Sequence, residues 1–220
     1  MQMDLFDFAR EHTDAQAAEE EMEWETAETT LWGRAWLENV HRLCSSRYTS
    51  ELTFGQKLLL SGRLQSCRVR HGHVQATFTN LQGGIALVNL SVRPLSPERW
   101  EKIDRLCDRC GDALFTSDEL PNDVVAGLFG QPDGLLPELK DLTFSCSHCH
   151  TPFCLYRAAT LLAVATEFDR KPIRLFELRG ATHERMLTRA AQQVQADDQS
   201  IAENDLSSVF GIELVQERKR

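Results

Sequence analysis

Residues 62–93, GRLQSCRVRHGHVQATFTNLQGGIALVNLSVR, change apolar and polar character at every second position. Val69, then Val74, Ala76 and Phe78, then Ala86, Val88, Leu90 and Val92 mark apolar residues recurring at every second position. His71-Gly72 and Gln82-Gly83-Gly84 supply the turns between them. A period of two bounded by glycine turns is the signature of antiparallel strands with one face packed. The stretch predicts a sheet of about three strands, with Arg68 and Arg70 on the opposite face and Arg63 just ahead of the first strand. Ile85 and Leu87 fall on the solvent parity, which predicts a third strand apolar on both faces where it begins.

On both sides of this stretch the period lengthens to that of a helix. Trp32 and Trp36, followed by Val40 and Leu43, mark one apolar face and begin the folded region near Leu31. Downstream, Ser96-Pro97-Glu98 is a helix start, with serine to cap the free amides and proline at the first helical position. This helix carries Trp100, Ile103, Cys107 and Cys110. Further helices are predicted over Asn122 to Phe129, Leu155 to Phe168, Pro172 to Leu178 and Thr182 to Ala196. The fold class is therefore α+β, a small antiparallel sheet followed by a helical region. Four segments are expected: an acidic arm over 1–30, a helix plus sheet over 31–95, a helical metal-binding region over 96–196 and a polar tail over 197–220.

Five of the seven cysteines lie in the helical region: Cys107 and Cys110 in CDRCG, and Cys146, Cys149 and Cys154 in CSHCHTPFC, with His148 and His150 among the latter. Two Cys-x-x-Cys pairs can supply four thiolates to one tetrahedral zinc, and Gly111 suits a knuckle turn after the second cysteine. Cys107 and Cys110 also fit the buried face of a helix, where free cysteine serves as a small apolar residue. For the second cluster, five Cys or His residues in nine positions favour a metal. An odd cysteine count in a chain without a signal-peptide pattern favours metal binding or buried thiols over disulfides.

The 220 residues carry a formal net charge of −9. Residues 1–30 hold ten acidic side chains against Arg10 alone, whereas residues 41–100 hold eight basic and two acidic ones. A basic face thus coexists with a low isoelectric point, and Arg63, Arg68 and Arg70 are the candidate phosphate contacts. No run of eighteen apolar residues occurs, so a soluble, cytoplasmic protein without a membrane partner is expected. Gln2, Leu5 and Phe6 resemble the short peptide by which bacterial replication and repair proteins dock onto the DNA sliding clamp; the same residues also fit the start of an amphipathic helix.

The stretches LWGRAWLENV, SGRLQSCRVRHGHVQATF, VNLSVRPLSPERW, GLLPELKDLTFSCSHC and EFDRKPIRLFELRG, in this order, resemble the bacterial SWIM zinc-finger proteins over roughly residues 31 to 185. The family's zinc ligands are a Cys-x-Cys on a hairpin and a Cys-x-His at the start of the next helix. By that resemblance Cys146 is the first ligand, His148 stands in place of the second and Cys154 is the third, while Tyr156 falls where the histidine belongs. Phenol is a rare zinc ligand, so the set needs repair. Cys149 or His150 can complete a shifted site, Cys107 and Cys110 can join Cys146 and Cys149, or packing can replace the metal. The four-thiolate set is the one expected here. The resemblance implies a non-catalytic zinc protein of DNA metabolism, associated with a Swi/Snf-type helicase. Alternatives are a protein adaptor without DNA contact and a Cys-x-x-Cys thiol redox protein. No phosphate-binding loop or nucleophile elbow is present, so no enzyme activity is predicted.

Overall fold

The computed structural model describes residues 29–44, 46–111, 113–116, 119–189 and 191; the clamp-like residues Gln2, Leu5 and Phe6 lie outside them. Three strands occur where the period of two predicts them: β1 (Leu64–Arg70), β2 (His73–Thr79) and β3 (Ile85–Val92). They form an antiparallel meander with Val69 opposite Val74 and Ala76 opposite Val88. Gly72, at φ 70°, makes the first turn in the left-handed region that only glycine enters without cost. Asn80 shapes the second turn, its Oδ1 accepting the amides of Gln82 and Gly84 at 3.0 and 2.8 Å.

The sheet has four strands rather than three. β4 (Leu142–Cys146) adds antiparallel to β3, giving the order β1-β2-β3-β4, with Val88 opposite Cys146 and Ser91 opposite Thr143. The apolar residues of the expected alternation are all buried: Val69, Val74, Ala76, Phe78, Ala86, Val88, Leu90 and Val92. Ile85 is not part of a second packed face; it is 68% exposed on the open side of the sheet.

The helices are α1 (Leu31–Cys44), α2 (Thr49–Leu60), α3 (Pro97–Cys110), α4 (Ala113–Thr116), α5 (Asn122–Phe129), α6 (Leu155–Arg170) and α7 (Ile173–Leu178). Residues 183–189 are also helical. The expected start of α3 is present: Ser96 Oγ accepts the Arg99 amide at 3.4 Å, with Pro97 in the first turn.

Helix α6 is the hub. From Tyr156 to Phe168 only Thr166 is exposed, because the inner face of the sheet covers one side and α1 and α2 cover the other. A helix apolar on all sides is stable only inside such a sandwich. Trp36 fastens α1 to it, donating Nε1–H to the Leu161 carbonyl at 2.7 Å and meeting the Phe168 ring edge-on at 5.1 Å. Gly55 lets α2 approach closely: a Cβ there would stand 2.7 Å from the Ala159 amide nitrogen. Beyond the sheet, Trp32, Phe115, Phe129 and Phe176 pack ring to ring, with Trp32 at 5.2 to 5.7 Å from the other three.

Candidate metal centre

Cys146 ends β4, Cys149 lies in the turn that follows, and Cys154 is the residue on which α6 begins. Their three sulfurs lie within 4.8 Å of one another. Free thiols have no reason to converge from a strand end, a turn and a helix cap. Thiolates sharing one cation do, and such a separation suits ligands of a single metal ion. These three close cysteines can hold a metal ion.

The backbone is arranged for thiolate. The amides of His148 and Cys149 turn back toward the Cys146 sulfur, the knuckle geometry expected of a Cys-x-x-Cys ligand pair. A hydrogen bond from the Cys154 thiol, supported by these amides, pulls the Cys146 thiol down to about 5 against the opposing cost of burial. Cys154 is correspondingly pushed up, first by giving its hydrogen bond to Cys146 and then by burial. Metal binding would release that proton.

Two side chains hold the loop between Cys149 and Cys154. Arg157, in the first turn of α6 and almost wholly buried, donates Nη1–H to the Thr151 carbonyl at 2.5 Å and to that of Pro152. Its guanidinium lies 6.0 Å from the centre of the Phe144 ring. The Thr151 hydroxyl stands 3.5 Å from the Cys149 sulfur and 3.0 Å from the Phe153 carbonyl, within reach of either acceptor. Sequence reasoning passed over Arg157; its place three residues after Cys154, on the first helical turn, was the available signal.

The expected set of Cys107, Cys110, Cys146 and Cys149 is not assembled. A knuckle needs a turn, whereas Cys107 and Cys110 occupy the last turn of α3 and Gly111 caps that helix, its amide bonded to the Cys107 carbonyl. Cys107 is fully buried with Trp100 and Ile103 in the main core, and Cys110 packs against the same cluster. Cys146, Cys149 and Cys154 belong to the second cluster, around Phe78 and Tyr156. Burial pushes the Cys107 thiol up to about 12, the behaviour of a core thiol. The structure instead brings together Cys146, Cys149 and Cys154, the three cysteines of the shifted alternative.

Tyr156 fills the core. It is 1% exposed and packs on Phe78 at 5.7 Å, and its hydroxyl lies by the Leu81 backbone without hydrogen-bonding geometry. His148 and His150 are exposed, and neither imidazole enters the thiol group. The His148 ring nevertheless stands edge-on to Tyr156, their centroids 5.0 Å apart.

The three candidate phosphate contacts separate. Arg68 and Arg70 are exposed on the open face, opposite Gln75 and His73. Arg63 is turned away from it, donating to the Asn80 carbonyl at 3.0 Å. Beside Ile85 and Leu87 the open face carries polar pairs, His73 bonded to Ser91 and Gln75 to Asn89, and no strand contains an acidic residue. No helix among the described residues is long and apolar enough to cross a membrane. Set beside known proteins, the chain matches no family model, no curated relative and no solved structure, so the centre is read from its own chemistry.

Proposed function

We propose that this chain is a non-catalytic, zinc-stabilised module of DNA metabolism whose open sheet face binds nucleic acid. The observation that carries the reading is the convergence of Cys146, Cys149 and Cys154 within 4.8 Å. Three thiolates favour zinc among the common divalent ions, and a fourth ligand, for which His148 beside Tyr156 is our candidate, would have to swing in to close the tetrahedron. Zinc so bound ties the sheet to the hub helix and supplies folding energy; a closed set of protein ligands leaves no position for a reacting water. The centre then holds a platform whose exposed cations, Arg68 and Arg70, have no acidic neighbour within the strands, as phosphate binding requires. The partnership with a Swi/Snf-type helicase and the clamp contact through Leu5 and Phe6 belong to the same reading.

Native mass spectrometry of the intact chain tests it. About one zinc per chain is expected. Cys146→Ser, Cys149→Ser and Cys154→Ser should each lose it, and the Cys107→Ser and Cys110→Ser variants should keep it. A metal-free wild-type chain, purified without chelator, overturns the zinc assignment; zinc lost only from the Cys107 and Cys110 variants relocates the site.

A further inference from the structure

At the end of the sheet opposite the thiol centre, the open face runs into a notch of about 360 Å³. The row formed by His73, Ser91 and Thr143 makes one wall, and His71, Arg93 and Lys140 stand around it. Among the described residues the carboxylate lining the notch is that of Asp141, and it is already committed. Its oxygens face the buried Arg179 guanidinium at 3.6 Å and take the Glu138 amide at 3.2 Å, and only 6% of its side chain is exposed. Arg179 itself is 1% exposed and also donates to the Arg93 carbonyl at 2.8 Å, so its charge stays in the floor as the counterion of Asp141.

With the floor neutralised, the mouth is cationic. The Arg93 side chain is 66% exposed and reaches Asp141 only at 3.9 Å, leaving most of its donors to solvent. Lys140 is 68% exposed and touches Glu138 at 2.7 Å, a contact in water that holds it weakly. The His71 imidazole and the Thr143 hydroxyl line it as short-range polar groups, while His73 and Ser91 are bonded to each other at 3.0 Å. A concave site with a fork-shaped guanidinium, an ammonium, an imidazole and a hydroxyl, and with its acid neutralised from below, suits a tetrahedral oxyanion.

We infer that this notch binds a phosphate group, and that on a nucleic-acid strand lying across the sheet it takes the terminal phosphate. The second part rests on the proposed nucleic-acid role of the open face; the first does not. Both Arg93 and Lys140 are exposed, so the Arg93→Ala/Lys140→Ala variant retains the packing around Asp141 and should fold.

Inorganic phosphate is titrated into the full chain in chloride buffer, following the backbone amides of Gly72 and Thr143 by NMR. Saturable shifts are expected at these amides, weakened at least about tenfold in the double variant and unchanged in Arg68→Ala/Arg70→Ala. The absence of saturation in the wild type, or equal saturation in the double variant, overturns the inference. A second arm compares one single-stranded oligonucleotide with and without a 5′-phosphate. Tighter binding of the phosphorylated strand, lost in the Arg93→Ala/Lys140→Ala variant, supports the terminal-phosphate role; equal binding of both strands limits the notch to free phosphate. If neither strand binds while inorganic phosphate saturates, the role of the open face fails and the phosphate notch stands.

Discussion

The loop that carries Cys149 and Cys154 is short of its own packing, and Arg157 supplies what it lacks. Its guanidinium binds two successive carbonyls, those of Thr151 and Pro152, from within the first turn of α6. Replacing it by methionine keeps much of the volume and removes both bonds. Groups that orient metal ligands without touching the metal typically change affinity by about 10- to 100-fold. If the proposed zinc occupies the three thiols, Arg157→Met should weaken its retention by about that factor in competition with a chromogenic chelator, while far-ultraviolet circular dichroism stays that of the wild type. The thiols away from the centre have a different signature. Burial raises Cys44 and Cys67 to about 11 and Cys107 to about 12, from an ordinary value of 9.0. A thiol harder to ionise folded than unfolded stabilises the fold fully below the unfolded value and loses that contribution as pH rises through the folded one. Stability should thus decline from about pH 9 upward. The urea midpoint measured between pH 8 and pH 11 should fall less steeply in Cys107→Ala than in the wild type; parallel curves would show that this thiol does not contribute.

At the level of elements, the sequence announces most of the sheet because one face is buried and the other is wet, so that Val74, Ala76 and Phe78 stand out from Gln75 and Thr77. The same alternation exists in β4, where Leu142, Phe144 and Cys146 face inward between Thr143 and Ser145, but five residues beside a cysteine cluster are easily read as part of the cluster. Helix α2 is hidden for another reason: one of its three buried positions is Gly55, which has no side chain to mark the apolar stripe. The metal centre was half legible. The spacing of Cys146 and Cys149 announced a knuckle, but whether Cys107 and Cys110 or Cys154 joined them depended on how α3 packs, and helical periodicity is the same for a core thiol and a ligand. Gly55 gives this level its test. Alanine is the better helix former by about 1 kcal/mol, and on propensity alone Gly55→Ala would stabilise α2. Its Cβ would stand 2.7 Å from the Ala159 backbone nitrogen and 3.0 Å from the Ala158 Cβ, and backbone at a helix crossing does not yield cheaply. Overpacking of this kind costs about 1–3 kcal/mol, so the net effect should be destabilising, seen as a lower urea midpoint with an unchanged slope.

For the molecule as a whole, the proposed binding of a polyanion has to be squared with a net charge of −9. The answer lies in where the charges sit. Ten acidic side chains precede residue 31, outside the described residues, while the four strands contain none. Arg68 and Arg70 stand two residues apart on β1, so both project from the same side of the sheet, each opposite a neutral or weakly basic partner on β2. At ordinary ionic strength charges act over about 10 Å, so the strands' own side chains set the local potential of the face. Two arginines neutralising two phosphates release about two counterions, which sets the salt dependence rather than the sequence preference. Replacing both by alanine should weaken binding of a single-stranded oligonucleotide to a similar extent for unrelated sequences. It should also flatten the plot of log affinity against log salt by about 1.4, at about 0.7 per phosphate contact. A slope equal to that of the wild type, measured by fluorescence anisotropy from low to moderate salt, would place the phosphates elsewhere and remove the sheet face from the interface.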